Sequence, residues 1–212
     1  MTAVRSVDEI IAELPDPATL GNRIIVAIAG PPGSGKSTLA EALVNALNAR
    51  TADCSVVFPM DGFHYDNAIL EPRGLLPRKG APETFDVAGY HAFLERLGAS
   101  PDSAVAVPVF DRDLELSRAA ARIIEPHHRM VLTEGNYLLL DDPPWRDLRR
   151  LFDRTVFLDV PVETLRERLI GRWLHYGFAP EAARAKAEDN DMVNARLVIE
   201  RSATTDLRYV QS

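Results

Sequence analysis

The apolar positions of this chain follow two periods. Arg23–Ala29 (RIIVAIA) is a short, continuous, β-branched run, as expected of a strand buried on both faces. Ser55–Met60, Arg129–Thr133 and Thr155–Leu158 repeat that character. Between these runs the period lengthens. Leu39, Leu43 and Leu47 recur every fourth residue and predict a helix over Lys36–Arg50. Val87–Leu97 predicts another helix, closed by Gly98, and Val162–Leu174 and Pro180–Ile199 predict two more. Near the N-terminus Ser6 and Glu9 have capping-box spacing for a short helix, which Pro15 and Pro17 end. Pro144–Phe152 predicts a further short helix with proline in its first turn. Ala104–Phe110 and Ala121–Glu125 read as a hairpin to one side, and Thr204–Val210 as a last edge strand. Strands alternating with helices predict an α/β fold: a parallel sheet with helices on both faces.

Such sheets bind ligands at the carboxyl ends of their strands, so the residues just after each strand matter most. The first strand runs into Gly30-Pro31-Pro32-Gly33-Ser34-Gly35-Lys36-Ser37-Thr38, which satisfies G-x-x-x-x-G-K-[ST] with a strand before and a helix after. Glycines let the backbone fold round a phosphate, and the helix N-terminus faces the same anion. Lys36 would reach the β- and γ-phosphates, and the Ser37 hydroxyl would ligate Mg²⁺. The class is then a three-layer P-loop NTPase fold. The motif specifies a nucleoside triphosphate without specifying the reaction.

Three acids end apolar runs: Asp61, Glu134 and Asp159. A carboxylate at a strand end is the usual Mg²⁺ partner in such a site, and a kinase also needs a group to take the acceptor hydroxyl's proton. Asp61 and Glu134 are the candidates. Asp159, followed by Val160-Pro161 and a helix, reads as a cap. Asp61–Thr84, rich in Gly, Pro and aromatics, reads as an irregular functional loop.

Composition narrows the partners. The 212 residues carry a formal net charge of -7, which argues against general nucleic-acid binding. No apolar run approaches the ~20 residues of a membrane span, and no signal segment is visible. The single cysteine, Cys54, reads as a buried inert thiol and fits a cytoplasmic protein. A homodimer is left open. No Asn-Lys-x-Asp element is present, which disfavours a guanine-specific GTPase.

Taken together, the phosphate loop, Met60-Asp61-Gly62-Phe63-His64-Tyr65, Arg78-Lys79-Gly80, Phe85-Asp86, Pro108-Val109-Phe110-Asp111, Thr133-Glu134-Gly135 and an Arg-rich helix resemble the uridine kinase, pantothenate kinase and phosphoribulokinase group. The bacterial branch labelled fructose-transport kinase or uridine-kinase-like is the most similar in character. The resemblance implies a kinase using ATP and Mg²⁺, one domain over 1–212 with an N-terminal helix within 1–20 and a mobile helical lid over about 162–190. It implies Asp61 as general base or water-mediated Mg²⁺ partner, with Glu134 as the other acid near the metal. It implies Asp86 holding acceptor hydroxyls, and Tyr65, Phe85 and Phe110 lining the acceptor pocket. Nucleoside kinases of the group read the base with a tyrosine and a histidine; here Phe110 takes the tyrosine slot and Asp113-Leu114-Glu115-Leu116 has no histidine. Asp111, Arg112, Asp113 and Glu115 suit a hydroxyl-rich acceptor such as a sugar.

Arg168 and Arg172 lie four apart on one helix face and read as lid cations for the transferring phosphoryl group. Arg166 reads as a surface residue. His64, Arg78 and Lys79 read equally as acceptor contacts or as loop structure. His127 and His128 read as surface residues, Trp145 and Trp173 as core, and Asn190, Asp191 and Asn194 as capping and packing residues, with contact to the adenine as the alternative. The reading is a small-molecule kinase whose hydroxyl acceptor is a fructose-like sugar or a nucleoside; the alternatives are a pantothenate-like acceptor or a regulatory P-loop ATPase or nucleotide-binding protein.

Overall fold

The computed structural model describes residues 1–211; Ser212, the end of the predicted domain, lies outside them. Strand β1 (Thr2–Val4) leads into helix α1 (Val7–Ala12). Ser6 caps α1 by accepting from Glu9 N at 3.2 Å, and the Glu9 carboxylate reaches back to Arg5 N at 2.8 Å. Strand β2 (Ile24–Ala29) follows, then α2 (Lys36–Arg50) and β3 (Ser55–Pro59). The long loop contains 3₁₀ turns and a short helix α3 (Asn67–Leu70), and ends in α4 (Val87–Ala99). A hairpin of β4 (Val105–Asp111) and β5 (Leu116–Ile124) stands apart from the main sheet. Then come β6 (Met130–Gly135), a 3₁₀ segment (Trp145–Leu151), β7 (Arg154–Asp159), α5 (Val162–His175), α6 (Pro180–Lys186), a π turn (Ala187–Asp191), α7 (Met192–Arg201) and β8 (Leu207–Val210).

The main sheet has six strands in the order β1-β8-β7-β2-β6-β3, every pair parallel. In β2 adjacent residues serve opposite layers. Ile25, Ala27 and Ala29 pack with Phe58, Tyr90, Leu94 and Trp145; Val26 and Ile28 pack with Ile10, Leu39, Leu43 and Leu47. Burial on both faces is why the strand reads as a continuous apolar run. Val160, Leu165, Leu169, Ala187, Met192 and Ala195 form a third, smaller cluster under α5–α7. Among the described residues, no helix is long and apolar enough to cross a membrane.

Several elements differ from their predictions for identifiable reasons. The helix expected over Pro180–Ile199 is broken by the π turn. Ala187 and Met192 both face the third cluster but are five apart, and one wider turn brings them to the same side. Helix α4 runs through Gly98 to Ala99. Its end is closed by Arg23, whose guanidinium donates to Leu97 O (3.2 Å), Glu125 O (3.0 Å) and His128 O (3.1 Å), so no left-handed glycine is needed. The tail strand β8 is internal, because the three residues of β1, too few to show a pattern, pair outside it. Segment 145–151 is 3₁₀ and not α. His128 is buried; its Nδ1 accepts from Glu125 N at 2.9 Å and its Nε2 faces Asp53 at 3.3 Å.

Arg23 is 4% exposed and ties three segments together through carbonyls alone. Arg23→Met should therefore lower stability by about 2–3 kcal/mol, by stranding buried carbonyls. Chemical denaturation would measure this, and an unchanged midpoint would rule the account out.

Candidate active site

Strand register assembles the site. Glu134 on β6 pairs with Ile28 on β2 and with Pro59 on β3. The chain just beyond β2 and β3 therefore brings the glycine-rich loop and Asp61 to the same end of the sheet as Glu134. Gly33 (φ +78°) and Gly35 (φ +89°) take left-handed conformations that a side chain would strain. A Cβ at Gly33 would also press on Leu169 of α5 at 3.2 Å. Gly35 caps α2 without any side-chain hydrogen bond, so the first-turn N–H groups stay free for an anion.

Lys36 is 8% exposed, and its Nζ donates to Pro31 O at 2.9 Å. Glu134 is 7% exposed. Burial lowers the lysine pKa to about 8 against the charges of Glu134 and Asp61. Burial, reinforced by Asp61, raises the glutamate to about 7 against Lys36 and a Ser37 hydrogen bond. Asp61 lies in a 3₁₀ turn after β3 and pairs through Oδ2 with Arg112 Nη2 at 2.7 Å.

These groups open onto one cavity of about 620 Å³. Facing the phosphate loop is a wall of His64, Asn67, Lys79, Phe110, Arg112 and Glu115; a second wall carries Arg172, Trp173, Lys186, Asn190, Asp191 and Asn194. His64 donates from Nδ1 to Asp61 O at 2.8 Å and stacks between Phe85 (4.0 Å) and Phe110 (4.8 Å). Burial lowers its pKa, favouring the neutral ring. Lys79 pairs with Glu115 at 2.9 Å and lies 5.1 Å from the Phe110 ring centre. Asp191 Oδ2 accepts from Arg172 Nη2 (2.8 Å) and from Trp173 Nε1 (2.6 Å).

No protein-family model matches the chain. Single proteins do. The chain is 33% identical over 211 residues to "Putative uridine kinase C227.14" of Schizosaccharomyces pombe, covering 96% of this chain and 90% of that protein. It is 34% identical over 152 residues to a pantothenate kinase of Mycolicibacterium vanbaalenii, covering 71% of this chain and 48% of that protein. The crystal structure of a "putative fructose transport system kinase" from Silicibacter sp. TM1040 superposes with a TM-score of 0.88 at 43% identity, covering 96% of both chains. The chain belongs to the P-loop kinases of the uridine kinase and pantothenate kinase group.

In this kinase the phosphate loop fits a nucleotide's phosphates. The Ser34 hydroxyl is buried without a partner among the described residues, the α2 N–H groups are uncapped, and one buried ammonium points inward. The Ser37 hydroxyl with the Glu134 and Asp61 carboxylates is an all-oxygen set, the kind a hard divalent cation takes.

The predicted site residues divide. Pro32, Gly33, Gly35, Lys36, Ser37, Thr38, Asp61, His64, Lys79, Phe110, Glu134 and Arg172 line the cavity. Gly30, Pro31 and Ser34 form the back of the loop and do not. Tyr65 and Phe85 face a separate cavity on the far side of His64, shared with His91 and Arg150. Asp86 is not brought to the cavity; it caps α4, accepting from Gly89 N at 2.9 Å. Arg78 turns out to Glu83 (2.7 Å), and Asp111 holds its own turn and Arg118 (3.2 Å). Arg168 reaches the outer side of the phosphate loop, donating to Gly33 O (3.3 Å) and Gln211 Oε1 (3.0 Å). Trp173, predicted as core, lines the cavity, as do Asn190, Asp191 and Asn194. Asn67, Asn136, Tyr176, Phe178 and Lys186 were not singled out by their sequence. Asn136 directly follows Glu134-Gly135, the one signal available; the others sit in segments without a motif.

The raised Glu134 pKa has a testable sign. Between 4.5 and about 7 the folded state holds a proton that the unfolded state has released. Stability of the ligand-free protein should therefore fall as pH rises through that window. Thermal unfolding at pH 5 and pH 7 should show a larger drop for wild type than for Glu134→Gln. Equal drops would refute a buried, protonated Glu134.

Proposed function

We propose that this kinase uses ATP and Mg²⁺ to phosphorylate a hydroxyl of a small neutral polyol of the sugar class. The observation carrying this reading is the acceptor wall. Lys79 is paired with Glu115 and Arg112 with Asp61, so neither cation there is free for an acidic acceptor. Phe110 offers an apolar ring face, and Asn67 and Glu115 offer hydrogen bonds, the surface a sugar ring needs. Phe110 brings no hydroxyl to read a nucleobase.

In this reading Lys36 and the α2 N–H groups hold the phosphates. Ser37, Glu134 and Asp61 would hold the cation. Bound Mg²⁺ neutralises charge on the phosphate oxygens and fixes them for in-line attack. Asp61 takes the proton of the attacking hydroxyl, which bonds to the γ-phosphorus as the bond to the β-phosphate oxygen breaks. Arg172 leaves Asp191 to meet the equatorial oxygens, and α5–α6 with the π turn close as the lid and exclude water. A groove outside the phosphate loop, lined by Thr38, Leu39, Arg168, Tyr209 and Gln211, supports seating the adenine there, with Arg168 over its face.

The test is ADP release from Mg·ATP with D-fructose, other sugars, uridine, cytidine, pantothenate and no acceptor. Release that depends on a sugar supports the reading. Release equal in every sample, blank included, identifies a bare ATPase and rejects it.

A further inference from the structure

The phosphate loop is held from outside as well as from within. Gly33, Gly35 and Thr38 line both the catalytic cavity and the groove on the far side of the loop, so the backbone here is the partition between the two. That backbone can hold a phosphate only through N–H groups turned into the cavity. In a planar trans peptide the C=O and the N–H point in opposite directions. Each inward N–H therefore sends the preceding carbonyl outward, where it needs a donor. Two side chains donate to consecutive carbonyls of the loop. Arg168 Nη1 of α5 donates to Gly33 O at 3.3 Å. Gln211, one residue beyond β8, donates from Nε2 to Ser34 O at 3.0 Å. Its Oε1 accepts from the same Arg168 Nη1 at 3.0 Å. A carbonyl only accepts and a guanidinium only donates, so both ends of this amide are assigned by their partners. Gln211 N also donates to Asp159 O at 3.1 Å, which continues the β7–β8 ladder and fixes the backbone that carries the amide. Of the two peptides, Ser34–Gly35 is the one that bears on a ligand. Ser34 N is used on Pro31 O at 3.1 Å, whereas the Gly35 N–H meets no acceptor among the described residues.

We propose that Gln211 is a positioning residue for the nucleotide: by holding Ser34 O outward it keeps the Gly35 N–H turned into the cavity, where a phosphate oxygen would meet it. The proposal rests on the reading of ATP at this loop and deepens it. Gly35 has φ +89° and no side chain to resist rotation of the peptide before it. Among the described residues Gln211 is the one donor to Ser34 O. Without that bond the peptide is free to turn, and a carbonyl turned inward sets its lone pairs against a phosphate. Gln211 lines the outer groove and not the cavity, so it acts through the loop and not on the phosphates themselves.

The full chain is compared as wild type, Gln211→Met and Gln211→Glu. Calorimetry measures binding of Mg·ATP and of Mg·tripolyphosphate, which has the phosphates and no base. Methionine keeps the length of the side chain and donates nothing. Glutamate keeps an acceptor for Arg168 and brings no proton for Ser34 O. Both variants should bind both probes about fivefold to tenfold more weakly, the loss of one donor. Ligand-free melting points should stay at the wild-type value, because the side chain is only half-buried. Wild-type affinity in Gln211→Met would overturn the proposal. So would wild-type affinity in Gln211→Glu, which would leave Gln211 as a support for Arg168 alone. Weaker Mg·ATP with unchanged tripolyphosphate would mark a contact with the base and overturn it likewise, as would a wild type that binds Mg·ATP and no tripolyphosphate. A melting point that falls with affinity in both variants would mark a packing role and overturn it too. A wild type that binds neither probe would sink the nucleotide reading and this inference together.

Discussion

Lys36→Ala should cut ATP turnover by at least about 10²–10³-fold, the scale on which a buried charge donor to a developing anion acts. The side chain is buried, and its ammonium already bears the burial cost that lowers its pKa to about 8. Among the described residues its one hydrogen bond is to Pro31 O, so it is held in place without being neutralised. Removing it leaves Glu134 and Asp61 with their mutual repulsion unopposed in the same cavity. Phosphate binding would suffer twice, from the lost cation and from the two carboxylates. Lys36→Arg should not rescue, because a planar guanidinium does not fit where a narrow ammonium is nearly enclosed. The check is steady-state ADP formation with circular dichroism to confirm folding. A folded Lys36→Ala that keeps a tenth of wild-type activity would remove Lys36 from the phosphate site.

Asp61→Asn should lower the transfer rate by about 10²–10⁴-fold while sparing the KM for ATP. Asparagine keeps the size of the side chain and can still accept from Arg112, which now holds Asp61 at 2.7 Å. What it loses is the ability to take a proton. The split between kcat and ATP binding separates a base from a general electrostatic role, since a lost carboxylate near the phosphates would otherwise change nucleotide affinity. A normal transfer rate in Asp61→Asn would shift the base assignment to Glu134.

The phosphate loop was legible because its requirements are local. Glycines at fixed spacing, a lysine, a serine and a helix start all fall within nine consecutive residues. Asp61 and Glu134 were legible for a related reason. Each ends an apolar strand, and parallel strands in register bring their ends level. Asp86 shows where such reading stops. It precedes α4 and its carboxylate is spent on the Gly89 N–H, a choice between cap and ligand that sequence does not make. Arg168 and Arg172 share a helical face in sequence, yet they find different partners. One meets Gly33 O and the other Asp191.

The acceptor wall was legible only in part. Phe110, Arg112, Glu115, His64 and Lys79 were candidates from the sequence, whereas Asn67 on α3 and the second wall's Lys186 were brought to the cavity by packing alone. The π turn arises because Ala187 and Met192 must both reach one small core, and that turn carries Asn190, which orients Asn194. The sequence by itself determined the α/β alternation, the strand ends and the phosphate loop, because burial and backbone conformation are set by near neighbours. Tertiary packing decided which polar side chains face the cavity and which cap, pair or support the fold, because a side chain's partner there is supplied by residues far away in the chain.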